Sequence, residues 1–414
     1  MKTYNVLAAC GMLAGSLIST AYAEGNLFYP ETKTLDGMRA SSTVIRALEQ
    51  NDSIHNIQLI GLNRAALDSK NTEFTLNFDQ NLSLTTRQTH TYPIDKESYA
   101  WVGEIDLGLG QQHGGKDAHG TAINPNQAVF AVHGDRVFGQ ILIEDLVFEI
   151  RTLEKGDGYL MVQRDFSVLS YKDDTPADSF PIKEEADQNT NRMASNIVNI
   201  IQVGTTEAAR DAGGNSALGD AMRFFITQSN QVYNNNGLDL EVRNAGLYLG
   251  GAEPRISSSQ LLSRLRGSND GYLDTVPTSL RNSTGADLVV LVTTFLRNQG
   301  LCGQADAIGA SQGRAFFLVD HDCTNFTFVH EAGHLFGARH DNDPTTSPFR
   351  FGHGFVSQPG NFRTIMAVSS NPQPRVAAFS TPNRTISGRP IGTASFRDNE
   401  RVHRQRASTV AGFR

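Results

Sequence analysis

The feature that most constrains this chain is a run of twelve residues at positions 330–341, which reads His-Glu-Ala-Gly-His-Leu-Phe-Gly-Ala-Arg-His-Asp. His330 and His334 are four residues apart, so on a helix their imidazoles project from one face, one turn apart. Gly337 can adopt the positive φ that ends a helix, after which a sharp turn would bring His340 up as a third nitrogen ligand. Three histidines leave the fourth tetrahedral position of a zinc ion open for water, as in a catalytic site.

Two carboxylates flank these histidines. Glu331 follows the first histidine and is placed to accept a proton from water in the open position, as a general base. Asp341 follows the third histidine and is a rival ligand, a group that orients a histidine, or a group that holds the turn together. A chance match on an amphipathic helix is the alternative, but the spacing of three His, one Glu and one Gly indicates a zinc hydrolase site.

Five residues match, one by one, the zinc signature of the metzincin metallopeptidases, which this chain resembles: His330, Glu331, His334, Gly337 and His340. That family also has a methionine in a tight turn beneath the metal, and Met366 corresponds to it. Several metzincins carry a tyrosine two residues later, where this chain has Val368. His353 lies near in sequence, and we expect it to have a structural role. The segments 328–341, 349–354, 363–367 and 409–414 resemble the bacterial peptidyl-Asp metallopeptidases, and the resemblance covers roughly residues 195–414.

The resemblance implies a fold, a metal and a substrate class. The fold is an α/β (α+β) catalytic domain with a twisted mixed sheet and a zinc helix, above an irregular lower subdomain. The cofactor is one catalytic Zn²⁺ ion, and a structural Ca²⁺ ion is left open. The substrates are proteins or peptides cut on the amino side of Asp. In metzincins the segment beyond the turn methionine walls the pocket for the residue after the scissile bond, where an arginine would bind a carboxylate. Arg375 is the first candidate, followed by Arg384 and Arg363.

Lysine usage divides the chain into two units. All eight lysines lie at or before Lys183, and none follows. Residues 1–183 hold 15 basic and 23 acidic residues, a net charge of −8, whereas residues 184–414 hold 21 and 20, a net charge of +1. A polar segment at 184–191 reads as an exposed linker. We therefore expect a first unit at 24–186 and a catalytic domain at 187–414, with self-cleavage before Asp187.

The first 23 residues have the pattern of a cleavable signal peptide. Lys2 precedes an apolar stretch at 6–18, and Ala21-Tyr22-Ala23 is a small-x-small cleavage site. Lipid attachment at Cys10 is a weaker alternative, because almost no apolar segment precedes it. No later segment reaches the roughly 18 apolar residues that a membrane span needs. We therefore expect a secreted protein with no membrane span.

The unit at 24–186 is predicted to be mainly β. Strand-like patterns cover 74–85, 99–107, 128–132 and 137–163. No catalytic constellation is present there, so the simplest interpretation is an acidic propeptide that assists folding and inhibits the enzyme. A retained accessory domain is the alternative. Because residues 24–183 contain no cysteine, a propeptide thiol cannot cap the zinc, whereas a carboxylate could do so.

The second unit alternates strands and helices, as an α/β domain does. The predicted elements are a strand at 197–203, a helix at 217–234 that Gly237 stops, a strand at 238–249, a helix at 258–265, a buried strand at 286–293 and a strand at 315–319. Cys302 and Cys323 are the pair that remains after signal removal, and in an oxidising compartment a disulfide is the natural reading, ahead of a catalytic thiol.

A basic C-terminal region leaves a second function open. Residues 350–414 hold ten arginines against Asp398 and Glu400, a net charge of +8. The alternative to a peptidase is therefore a catalytically degenerate protein that binds anionic partners through this face, and a third candidate is a metal hydrolase acting on other bonds. The intact Glu331 favours the peptidase, since a structural metal site needs no base. We expect a monomer that does not bind nucleic acid.

Overall fold

The computed structural model describes most of the chain, namely residues 25–78, 82–108, 116–117, 120–154, 158–169, 180 and 196–414. The predicted signal peptide at 1–23 and the predicted cleavage site before Asp187 lie outside the described residues.

The N-terminal unit is built on antiparallel strands, with two short helices. The helices are α1 (Leu35–Arg39) and α2 (Thr43–Glu49). The strands are β1 (Phe28–Tyr29), β2 (Ile54–Leu62), β3 (Glu73–Asn77), β4 (Ser83–Pro93), β5 (Ser98–Asp106), β6 (Lys116–Asp117), β7 (Gly120–Ala122), β8 (Gln127–His133), β9 (Arg136–Ile143), β10 (Leu146–Thr152) and β11 (Tyr159–Arg164). Nine of them form one sheet in the order β1-β2-β11-β10-β9-β8-β5-β4-β3. The predicted β character of this unit is therefore observed, although the pattern at 137–163 comprises three strands.

Strand β8, within this sheet, is buried on both of its faces. Ala128, Phe130 and Val132 belong to the unit's own apolar core, whereas Val129 and Ala131 belong to a cluster shared with the second unit. Because side chains alternate between the faces of a strand, this near-continuous apolar run gives the sheet one face for its own core and another for its neighbour.

The second unit has a mixed sheet flanked by helices. Its strands are β12 (Asn196–Gly204), β13 (Leu240–Leu249), β14 (Leu288–Thr293), β15 (Gly303–Ala305) and β16 (Phe316–Asp320), in the order β13-β12-β14-β16-β15. All neighbours are parallel except β15, an antiparallel edge strand. The helices are α3 (Thr206–Asp211), α4 (Asn215–Asn236), α5 (Ser258–Arg266), α6 (Arg281–Thr284), α7 (Thr327–Phe336) and α8 (Asn399–Val410). The predicted mixed α/β arrangement is confirmed.

Two local predictions in this unit are also met. Helix α4 ends at Gly237, which has a φ of 62°, so a residue without a Cβ takes the left-handed position. A disulfide joins Cys302 to Cys323 across a Cα–Cα distance of 5.6 Å. It ties the residue before β15 to the loop that follows β16, and so fixes the segment that leads into α7.

The lower region after Gly337 is irregular, as expected, with short strands β17 (Val356–Ser357), β18 (Phe362–Arg363), β19 (Arg384–Ile386) and β20 (Arg389–Pro390). Strand β7 of the N-terminal unit pairs in parallel with β19, so the two units share a small sheet. Among the described residues, no helix combines the length and apolarity needed to cross a bilayer.

The two units also meet along helix α4. Phe138 stacks on Phe224 at a ring-centroid distance of 4.7 Å. Around this apolar contact, polar side chains of α4 bond to the N-terminal sheet in four pairs, Asp220 with Arg136, Arg223 with Asp95, Gln228 with Gln140, and Asn235 with Gln127. The covered face of α4 is thus mixed, with polar side chains arranged around the apolar contact of Phe224.

Candidate active site

Helix α7 carries the first seven residues of the motif, 330–336, and every residue of the helix is buried. It ends at Gly337, whose φ of 117° favours glycine and whose N–H donates to the carbonyl of His334 at 2.9 Å. A Cβ at Gly337 would also lie 2.9 Å from the ring of Phe349. The sharp turn expected after the second histidine is therefore present.

The three histidines converge. Nε2 of His340 lies 3.0 Å from Nε2 of His330 and 3.1 Å from Nε2 of His334. Nδ1 of His330 donates to the carbonyl of Ile365, and Nδ1 of His334 to that of Ala338, each at 2.8 Å. Because a carbonyl can only accept, these bonds place the protons of His330 and His334 on Nδ1 and leave their Nε2 lone pairs facing Nε2 of His340.

Three imidazole nitrogens in that arrangement can hold a cation between them. Ligand nitrogens at about 2.0–2.1 Å from a tetrahedral zinc ion lie roughly 3.3 Å apart, close to the observed separations. The three histidines could therefore bind a metal ion, and their donor set of three imidazole nitrogens fits zinc.

Glu331 lies one residue along the same helix and is also fully buried. Its side chain packs on edge strand β15 at Gly303, where a Cβ would lie 2.5 Å from Cγ and 2.6 Å from Oε1 of the glutamate. Gly303 thus leaves the room that this carboxylate occupies. Sequence reasoning missed this contact, because nothing in the residues around 303 points to a partner 28 positions away.

Met366 packs against helix α7. Its sulfur would be 2.9 Å from a Cβ at Gly333, so it packs against the helix backbone beside His334. The turn is closed by a bond from the N–H of Ala367 to the carbonyl of Thr364 at 3.0 Å. The carbonyl of Ile365, within this turn, accepts from Nδ1 of His330, so the turn supports the helix and orients the first histidine.

Asp341 holds the turn together. One carboxylate oxygen accepts from the backbone N–H of Val368 at 2.9 Å, and the other from the side chain of Asn371 at 3.2 Å. Of the roles considered for Asp341, the structure therefore favours the tie between the third-histidine loop and the methionine turn. His353 has a structural environment too, because it donates to the carbonyl of Thr345 and stacks on an aromatic ring.

The three candidate pocket arginines lie in two places. Arg375 donates to the carbonyls of Asn325 at 3.0 Å and Ala367 at 3.1 Å. Arg363 donates to the same carbonyl of Ala367 at 2.6 Å. Both therefore sit beside the methionine turn. Arg384 instead donates to a carbonyl at the end of α4, where a cation favourably meets the helix C-terminus.

A charged cluster from both units surrounds the segment that enters α7, and sequence reasoning missed it. Arg164 donates to Asp322 at 3.0 Å, and Glu149 accepts from Thr324. Arg151 donates to Glu149 at 2.6 Å. Burial acts to raise the pKa of Asp322, but Arg164 and Arg151 outweigh it and lower that pKa well below its usual range. The N-terminal unit is thus bonded, through Arg164 and Glu149, to the segment just before the histidine helix.

Comparisons with known proteins agree with this geometry. Residues 194–380 match a family model described as metallo-peptidase family M12. The chain is 30% identical over 427 residues to a peptidyl-Asp metalloendopeptidase of Stenotrophomonas maltophilia strain R551-3, which covers 98% of both chains. It is 29% identical over 436 residues to one of Xanthomonas campestris pv. campestris, across 100% of both chains.

A mixed sheet, a histidine triad and a neighbouring glutamate, together with these matches, define a zinc-dependent metalloendopeptidase. The chain belongs to the metallopeptidase family of the peptidyl-Asp metalloendopeptidases. Among solved structures, metalloproteinase-II from Bacteroides fragilis is similar at 11% identity with a TM-score of 0.42, covering 74% of this chain and 88% of that one.

Proposed function

We propose that this chain is an exported zymogen of a zinc metalloendopeptidase that cuts peptide bonds on the amino side of Asp. The observation that carries the proposal is the convergence of three Nε2 atoms at 3.0 and 3.1 Å, with a buried glutamate next to the first histidine on the same helix.

In this proposal, His330, His334 and His340 hold the zinc ion. The bound ion would supply Lewis-acid polarisation of the substrate carbonyl and a lowered pKa for water. Glu331 accepts the proton of the attacking water and delivers it to the nitrogen of the leaving amine, while the carbon–nitrogen bond breaks. The carbonyls that receive the Nδ1 protons keep two of the imidazoles in the required tautomer.

Arg375 is our candidate for recognition of the substrate carboxylate, with Arg363 behind it. The guanidinium of Arg375 lies between the segment before α7 and the methionine turn, through its bonds to Asn325 and Ala367. A planar guanidinium there could bind a carboxylate with two parallel bonds. Arg384 is the weakest of the three candidates, because its side chain lies at the end of α4 and not beside the methionine turn.

Three observations support latency. The three histidines and Glu331 are at most 3% exposed in the full-length chain, as a covered cleft requires. Phe180 donates to the carbonyl of Ile308 at 3.1 Å, which places part of the connecting segment near β15. The covered face of α4 carries polar side chains around Phe224, and polar side chains tolerate later contact with water far better than apolar ones do. A detachable propeptide explains this face better than a permanent accessory domain does.

The test uses two quenched peptides that differ only in Asp or Asn after the scissile bond. We expect the processed enzyme to cut the Asp peptide at least tenfold more efficiently, to lose activity with a zinc chelator and to regain it with zinc. A protein that binds zinc stoichiometrically yet cuts neither peptide would instead be the degenerate binding protein. Equal cleavage of both peptides would refute the specificity alone.

The domain boundary has its own test. We expect N-terminal sequencing of the processed enzyme to begin within ten residues of Asp187, and the unprocessed chain to be inactive. Full activity of the unprocessed chain would contradict the zymogen proposal and favour a retained accessory domain.

A further inference from the structure

The N-terminal unit inserts a strand beside the lower region of the catalytic unit. In β7, Thr121 donates its N–H to the carbonyl of Asn383 at 3.0 Å, and Ile123, just after β7, donates to the carbonyl of Thr385 at 2.8 Å. These parallel bonds join β7 to the edge of β19. Across the other edge, β19 pairs with β20. The contact is thus made largely by backbone groups, which any extended peptide can supply.

A side-chain anchor accompanies the backbone bonds. Ile123 is 4% exposed. It lies in a cluster whose other buried members all belong to the catalytic unit: Phe362, Ala378, Ile386 and Ile391. The approach before the anchor is close, because a Cβ at Gly120 would overlap the carbonyl of Asn383. We call the edge of β19, together with this cluster, the seat. It accepts an extended segment that has a small residue in the place of Gly120 and an aliphatic residue three positions later.

Departure of the N-terminal unit would leave this seat without its strand. The carbonyls of Asn383 and Thr385 would then face outward beside an apolar hollow the size of an isoleucine side chain. An unpaired strand edge next to an apolar pocket is the arrangement by which proteins capture extended peptides through strand addition.

Charge favours one kind of occupant. The region from 350 to 414 has ten arginines and two acidic residues, and Arg389 on β20 is exposed. A positive field of this kind attracts acidic polypeptide segments. The protein substrates proposed above contain Asp by definition.

We propose that the edge of β19 and the cluster that holds Ile123 form a substrate exosite in the processed enzyme. Its occupant is an extended, acidic segment of the polypeptide substrate, with an aliphatic residue in the place of Ile123. The inference rests on the proposed function, since it requires the N-terminal unit to leave. None of the seat's residues belongs to the metal centre, so the exosite adds affinity for long substrates without touching the reacting bond.

The first experiment measures binding directly. A fluorescent peptide of residues 118–126, which contains no Asp, is titrated with processed enzyme and followed by anisotropy. We expect saturable binding that falls at least tenfold for an Ile123→Asp peptide and for a peptide N-methylated at Ile123. N-methylation at Ala122 is the matched control, because alternate amides of a strand point away from the same neighbour. Absence of binding, or equal binding of all four peptides, would overturn the proposal.

The second experiment separates the exosite from the cleft. The same peptide should raise KM several-fold for a long acidic substrate, leave its kcat unchanged, and have no effect on an eight-residue substrate with the same scissile bond. Equal inhibition of both substrates would place the peptide in the cleft and refute the exosite. If the enzyme cuts neither substrate, the proposed function fails while anisotropy still decides whether the seat binds. Dimers that dissociate when the peptide is added would assign the seat to a second copy and also overturn the proposal.

Discussion

Substitution of Gly303 by alanine tests how tightly the proposed base is positioned. The new Cβ would lie 2.5 Å from Cγ, 2.6 Å from Oε1 and 2.8 Å from Cδ of Glu331. Carbon atoms ordinarily approach no closer than about 3.5 Å, so the carboxylate must move by about 1 Å. A displacement of that size at a reacting group can cost on the order of 10²-fold in rate.

We therefore expect the Gly303→Ala enzyme to lose about 10- to 100-fold in kcat while its zinc content and KM for a short peptide stay unchanged. The assays are steady-state kinetics of the processed enzyme and metal analysis. Gly313→Ala is the matched control, since a Cβ there meets nothing within 4 Å, and it should retain full activity. Unchanged kcat in Gly303→Ala would refute the reasoning, and so would a loss of zinc in parallel with activity.

Three further predictions concern the metal, the pocket and the contact between units. His334→Ala should abolish stoichiometric zinc binding, measured by metal analysis. Glu331→Gln, which removes only the proposed base, should keep the zinc. Arg375→Gln should lower kcat/KM for the Asp peptide by at least tenfold with little change for the Asn peptide, whereas Arg384→Gln should lower neither. Because the pKa of Asp322 is lowered in the folded chain, its carboxylate stabilises the folded chain fully at pH values above its ordinary pKa of about 3.9. That stabilisation is lost as the pH falls through the lowered pKa of the folded state. Limited proteolysis of the uncleaved chain should therefore show the units loosening as pH falls below about 4 but not between 8 and 5, and Arg164→Gln should reduce this dependence. Loosening between pH 8 and 5 would contradict it.

The metal centre could be predicted from the sequence because its spacing is local. His330 and His334 lie on one face of any helix that contains them, and Gly337 marks where that helix must end. The strands and helices of the second unit followed from hydrophobic periodicity for the same reason, since each pattern lies within one element. The disulfide needed only that two cysteines remain in an oxidising compartment.

What the sequence could not provide are contacts between distant segments. The bond from Arg164 to Asp322 joins residues 158 positions apart, and the pairing of β7 with β19 joins segments more than 250 apart. Neither contact leaves a periodic signal in the sequence. Each partner, taken alone, looks like an ordinary charged residue or a short polar strand. The same holds for Gly303, which the sequence shows only as one glycine among many.

Helix α4 shows a case where a signal was present in the sequence but was not used. Five consecutive residues of this helix, Thr-Gln-Ser-Asn-Gln at 227–231, include no apolar side chain, yet all five are buried. Buried amides are costly unless they are bonded, and Gln228 is bonded to Gln140 across the boundary between the units. If the N-terminal unit leaves, as proposed above, this helix packs first against a protein partner and then faces water, so its side chains must be satisfied in both states. Amides meet that need, because water can replace each bond that separation breaks.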